Sequence, residues 1–246
     1  MSIHLKQRIL VVMEHMFGRL FHGSALWLVG LVVFVVVFNV LFHRTQGTAR
    51  IIASVASYVI LFLIVRYAKL GLSNIGLAGS NIKSGLLWGL IGAVIVFAVM
   101  GIVYLVSPST FLDARYNQDT RSLIGALVLS LPIYTVIIEE IIFRGVMPTL
   151  LMRSTSVQLA FVVSSLLFGL WHILPSLQMK SVSIFGGALF VPRPVVIGSS
   201  IVAPFVVGLL LSFMAYKSKS IIAPMIVHWS INASGMALAF LAWSRV

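Results

Sequence analysis

Apolar residues in this chain come mostly in unbroken runs rather than in stripes of helical or strand period. Read by hydropathy, the runs fall near Ala25–Phe42, Ile51–Val65, Gly85–Val106, Leu123–Leu151, Ser156–Ile173, Val195–Tyr216 and Ile221–Trp243. Runs that reach or approach the ~20 residues needed to carry an α-helix through hydrocarbon predict about seven transmembrane helices and an all-α integral membrane protein. Turn formers and bases collect between them, in His43 to Arg50, Arg66 to Lys83, Ser107 to Arg121, Arg153-Ser154, Pro175 to Pro194 and Lys217 to Lys219. The stretch from Pro175 to Pro194 is long, carries Gly186-Gly187 at its middle and is apolar at Ile184-Phe185 and Leu189-Phe190. It reads as a segment that dips into the membrane beside a site or lies over it as a lid.

Ahead of the first run the pattern changes. Ile9, Leu10, Met13, Met16, Phe17, Leu20 and Phe21 recur at helical spacing opposite Lys6, Arg8 and Arg19. Residues 1–23 are therefore expected to form an interfacial amphipathic helix, with a polytopic membrane domain over 24–246. The apolar stretch here is short and interrupted by Glu14, so it does not read as a cleavable signal peptide.

Composition agrees with this and closes off other classes. The chain is 60% hydrophobic and 9% charged, against roughly 25% charged in a soluble domain. The net charge of +12 comes from 17 Lys and Arg against 5 Asp and Glu. These bases lie singly or in pairs at the ends of apolar runs, where they meet anionic headgroups; the lipid bilayer, not nucleic acid, is the partner they imply. With the N-terminus in the cytoplasm, nine bases fall on that side and seven on the other, a small bias toward N-terminus in and C-terminus out. The absence of cysteine excludes disulfides, thiolate metal sites and a cysteine nucleophile.

The five acidic residues are unequally placed. Glu14, Asp113 and Asp119 lie in ends or loops, whereas Glu139 and Glu140 lie inside an apolar span, and nothing acidic follows them. One charge at the middle of a span costs on the order of 3 kcal/mol, so an adjacent pair implies a partner or a use. Arg144 stands four residues after Glu140 on the same helix face and can pair with it, leaving Glu139 free. Histidine is equally uneven: His172 and His228 alone lie in spans, and Asn232 shares a face with His228. Polar groups in spans turn toward the bundle interior, so three helices bringing such groups to similar depth imply one shared, water-accessible site. Trp171 and Trp229, beside the two histidines, read as packing or as walls for a substrate.

Glu, two His and Asn form a peptidase's inventory without a covalent nucleophile: a carboxylate to take a proton from water, an imidazole to hold that water, and amide and imidazole donors for an oxyanion. Glu139, His172 and His228 are equally a hydrolytic zinc set in composition, although His-Glu-x-x-His is absent. No cofactor follows from the residues alone, and one zinc ion is the alternative. A proton or ion carrier would also place carboxylates and histidines in spans, but such carriers show two related halves, and here the polar groups fall only in the second half.

Three motifs occur in order on successive polar-bearing spans: Glu139-Glu140-Ile141-Ile142-Phe143-Arg144, Phe168-x-x-x-His172 and His228-x-x-x-Asn232. Together they resemble the type II CAAX-processing and bacteriocin-processing intramembrane glutamate proteases, also called the abortive-infection family, over a protease-like core of about residues 123 to 240. The resemblance implies a helical bundle in which Glu139 activates water with help from His172. It also implies that His228 and Asn232 stabilise the oxyanion, while Glu140 and Arg144 support the geometry. The implied substrate is a membrane-associated or lipidated peptide or protein, and the implied location a multi-pass position in a prokaryotic plasma membrane. Eukaryotic members remove the last three residues of prenylated proteins; bacterial members are tied to peptide maturation, self-immunity or partner membrane proteins. A non-proteolytic scaffold or immunity protein of the same fold is the competing reading, and the intact motif positions argue against it.

Overall fold

A computed structural model describes residues 24–113, 116–185 and 188–246; the expected amphipathic helix over 1–23 lies outside the described residues. Seven helices are long and apolar enough to cross a membrane. We number them α1 (Ser24–Arg44), α2 (Gly47–Tyr67), α3 (Ile82–Val106), α4 (Thr120–Leu151), α5 (Val157–Trp171), α6 (Arg193–Ser218) and α7 (Ile222–Trp243). The chain is a multi-pass, all-α membrane protein. Its outer surface is apolar, with Leu26, Phe62, Val94 and Leu105 exposed as lipid-facing side chains are.

The long loop before α6 carries secondary structure that hydropathy does not predict: a helical turn, Ile173–Ser176, and a small antiparallel hairpin of β1 (Val182–Ile184) and β2 (Leu189–Val191), with Val182 opposite Val191. The Ser107 hydroxyl accepts from the Phe185 N–H, which ties the hairpin to the end of α3. β-branched and aromatic side chains at Val182, Ile184, Phe190 and Val191 suit a pleated ribbon better than a turn.

Without a hydrophobic force between helices in lipid, small residues and polar contacts decide which helices meet. Along α3, Gly85, Gly89 and Gly92 lie against Ser220, Ile226 and Val227, so α7 packs against α3. On α5, Gly169 meets the Ile201 carbonyl and Phe205 of α6. The largest apolar cluster joins α1, α2, α4 and α5 through Phe38, Leu61, Ile142, Phe143, Met147 and Phe168. At one end of the bundle the Ile221 N–H donates to the Gly76 carbonyl at 3.0 Å. Gly76 has φ +75°, and a side chain there would also lie 3.0 Å from the Ile221 nitrogen, so glycine is needed on both counts.

Helix α4 starts at an Asp119 cap. The carboxylate accepts from the Ser122 hydroxyl and N–H, and these bonds hold its pKa below the usual carboxylate range. Beyond its first turns α4 is irregular, with wide π-type segments at Ala126–Ser130, Pro132–Val136 and Ile141–Val146 around one α-helical turn, Ile137–Glu140. Each π segment closes with a bond five residues back, from Leu131, Ile137 and Met147 to the Ala126, Pro132 and Ile142 carbonyls. In each case the next carbonyl receives a side chain from another helix. Trp229 of α7 donates to Leu127 at 3.0 Å, Tyr58 of α2 to Ile133, and Ser164 of α5 to Phe143 at 2.5 Å. For Leu127 and Phe143 the residues five positions on are Pro132 and Pro148, which have no N–H to give. Backbone groups cannot be left open at membrane depth, so these side chains complete the ladder.

The α3–α7 contact gives a direct test. In Gly89→Val, the new Cβ would sit 2.9 Å from Ile226 Cβ and 3.3 Å from Ala223 Cα. Overpacking of this kind is expected to cost about 1–3 kcal/mol, read as a lower melting temperature in detergent. Unchanged melting would mean that the two helices separate freely at this level.

Candidate active site

Four elements build one polar cluster inside the apolar bundle. The turn Ile137–Glu140 of α4 presents Glu139 and Glu140, both buried, and Arg144 follows one turn later, also buried. The Arg144 Nη1 donates to Glu140 Oε1 at 2.9 Å, the i to i+4 pair expected from spacing. From α7, His228 Nδ1 lies 2.7 Å from the same oxygen. A carboxylate oxygen already bound to a guanidinium can only accept, so Nδ1 carries a hydrogen and donates. Its other nitrogen, Nε2, faces Glu139 Oε2 at 3.9 Å. His228 therefore stands between the two carboxylates.

Glu139 is not free. Trp171 at the end of α5 donates its indole N–H to Glu139 Oε1 at 3.0 Å, and Asn39 of α1 donates to the Trp171 carbonyl at 2.8 Å. Trp171 packs in the main apolar cluster, as its reading allowed, and adds a role that reading lacked: an indole is apolar over most of its surface and still carries one strong donor. Only Glu139 Oε2 is left without a hydrogen bond among the described residues. Glu140 Oε2 and Arg144 Nη2 are likewise open on their outer sides.

α5 ends at the site because its last residues leave helical geometry at His172 (φ −82°, ψ 1°). The His172 Nδ1 lies 2.8 Å from the Phe168 carbonyl, which fixes the hydrogen on Nδ1 and leaves Nε2 with a lone pair. The Phe168 ring is the common surface. Arg144 Cζ lies 4.0 Å over it, His172 meets it edge-on at 4.8 Å, and His228 edge-on at 5.7 Å. A cation held over an aromatic face out of water is attracted to the ring quadrupole, so Phe168 both orients and shields the guanidinium. Asn232 lies one turn beyond His228 on α7, half-buried, with no hydrogen bond among the described residues. His172 and Asn232, the least buried of these side chains, mark the accessible side of the cluster.

Among the described residues, no three His, Asp or Glu side chains converge as a metal-ligand set. Glu139, His172 and His228 each keep one donor atom open, but their arrangement does not fit a zinc centre with three protein ligands.

The bundle and this buried cluster define a polytopic membrane protein with paired carboxylates and imidazoles inside its spanning helices. Residues 121–234 match the family model described as "Type II CAAX prenyl endopeptidase Rce1-like", so this segment of the chain is similar to that family. No curated protein and no solved structure matches the chain. The matched segment holds all six polar residues singled out by sequence, and it excludes Asn39. That asparagine did leave a signal: it is the single amide in the apolar run from Ala25 to Phe42.

Arg144 provides the test of this network. Arg144→Ala leaves the fully buried Glu140 without its guanidinium, which is expected to destabilise the protein by about 3 kcal/mol. Arg144→Lys is expected to recover only part of this, since an ammonium cannot lie flat on Phe168 while bonding to Glu140. Equal melting of all three proteins would show that the pair contributes nothing.

Proposed function

We propose that the chain is an intramembrane endopeptidase, hydrolysing a peptide bond of a membrane-associated or lipidated protein or peptide through water activated by Glu139. The observation that carries this reading is the open oxygen of Glu139. Trp171 fixes Oε1, and Oε2 faces His228 Nε2 at 3.9 Å, a gap that one water can bridge at ~2.8 Å from each.

In the proposed step the water gives a proton to Glu139 Oε2, and its oxygen attacks the scissile carbonyl carbon. His172 Nε2, with its lone pair free because Nδ1–H is committed to Phe168, accepts the second water hydrogen and holds the nucleophile in place. The carbonyl oxygen becomes an oxyanion and receives hydrogen bonds from the Asn232 amide and from His228 Nε2 in its doubly protonated form. In that form two carboxylates face one guanidinium and one imidazolium, so the buried charges balance. The carbon–nitrogen bond then breaks, and the proton on Glu139 goes to the leaving amine. Glu140 and Arg144 support this by holding His228 through Nδ1, as the carboxylate does in other histidine-based hydrolytic sites.

The family description names prenyl endopeptidases. For this chain the proposed substrate class is broader, a peptide held at the membrane by an apolar segment or a lipid, and the proposed location is the plasma membrane of a prokaryote. Residues 1–23 are proposed as a surface helix preceding the membrane domain.

Two measurements on purified protein in lipid nanodiscs test the reading, using a quenched farnesylated CAAX peptide and an unprenylated transmembrane peptide. Glu139→Gln is expected to lower cleavage by about 10²–10⁴-fold while melting like the parent; near-normal turnover would remove Glu139 as the base. Cleavage is also expected to survive exhaustive chelation. Activity lost with a chelator and restored by zinc would instead make His172 and His228 ligands.

A further inference from the structure

Trp229 takes no part in the chemistry above, yet its indole N–H ties α7 to the early part of α4. We propose that Trp229 is a positioning residue: its indole N–H replaces the backbone donor that Pro132 lacks, sets α7 against α4, and thereby places the His228 imidazole between the two carboxylates.

Successive residues of α7 carry the argument. His228 bonds to Glu140 at 2.7 Å and Trp229 to the Leu127 carbonyl at 3.0 Å, so neighbouring side chains grip α4 at positions 127 and 140. Packing on α3 already holds α7 in the bundle, and the two attachments far apart on α4 fix its height and rotation relative to the carboxylate-bearing helix. The bond at Leu127 has no substitute. The Leu131 N–H is used by the Ala126 carbonyl, and the next position is Pro132. With no water at this depth, the carbonyl holds whatever donor reaches it.

A role for Trp229 as a substrate wall fits less well. Its ring packs against the buried cluster of Leu131, Val136 and Ala233. It also lines an apolar crevice of about 300 Å³ with Phe97, Met100 and Gly101 of α3. None of Glu139, His172, His228 or Asn232 lines that crevice. Trp229 thus acts on the site through α7 rather than by touching a peptide at the scissile bond.

The turnover arm of the test rests on the proposed peptidase reading; the spectroscopic arm does not. Trp229→Phe keeps an aromatic ring in the cluster and removes the N–H. In protein labelled with ¹⁵N-histidine, with His228 assigned by comparison with His228→Gln, the His228 Nδ1 resonance is expected to move in Trp229→Phe. Turnover of the farnesylated CAAX peptide is expected to fall by about tenfold or more at unchanged KM. Should Trp229→Phe fail to fold, Pro132→Ala/Trp229→Phe, which returns an N–H to α4, is compared with Pro132→Ala alone, and the same changes are expected. A His228 resonance and a turnover that both equal those of the reference protein would overturn the proposal, however far the melting temperature falls. If the unmodified protein cleaves neither peptide, the peptidase reading fails and the His228 resonance alone decides the positioning role.

Discussion

One oxygen atom, Glu140 Oε1, accepts a guanidinium N–H from Arg144 and an imidazole N–H from His228, inside a side chain with no solvent exposure. A carboxylate buried in the bundle has no water shell to fall back on, and removing either donor would leave a buried polar atom without its partner. The dependence runs outward from there. Arg144 is held over Phe168, and Phe168 meets both histidine rings, so contacts from α4, α5 and α7 end on the same ion pair. Glu139 differs from its neighbour in one respect that matters for chemistry: it has one indole donor on one oxygen and nothing but His228 facing the other.

The main chain of α4 meets the same constraint. Its π segments and two prolines leave the Leu127 and Phe143 carbonyls without the donor five residues on; Trp229 and Ser164 reach these two, and Tyr58 adds a bond to the Ile133 carbonyl from a third helix. A regular α-helix would need none of these bonds and would be joined to its neighbours by packing alone. Irregularity here joins the carboxylate-bearing helix to three neighbours by hydrogen bonds, which suits a site that needs fixed geometry.

Much of this was legible in the sequence, because the bilayer makes polar residues expensive and their positions therefore informative. Glu139, Glu140, Arg144, His172 and His228 stood out on cost alone, and four of them are joined in one cluster by bonds or facing atoms. The seven spans were readable from hydropathy, although α2 begins at Gly47, before the expected Ile51, since the polar turn ahead of it is already helical. What the sequence hid were bonds from side chains that look apolar or solitary. The indoles of Trp171 and Trp229 count as hydrophobic in any periodicity, and one asparagine in α1 carries no pattern. The π segments of α4 also left no mark beyond Pro132 and Pro148. The β1–β2 hairpin was missed because its apolar residues, at membrane-adjacent positions, fit a re-entrant segment equally well.

The segment that carries the family likeness does not close its own structure. Asn39 and Tyr58 come from α1 and α2, outside residues 121–234, and they serve the carbonyls of Trp171 and Ile133 within it. The Gly76 carbonyl, also outside, takes the Ile221 N–H at the entrance to α7. Cut away from the first three helices, the matched segment would lose the donors to two carbonyls, one of them on the residue that holds Glu139, and the acceptor for the Ile221 N–H. The N-terminal helices are thus a sleeve for the chemistry-bearing half. What that sleeve supplies to the other half is a few named donors and one acceptor, from Asn39, Tyr58 and Gly76.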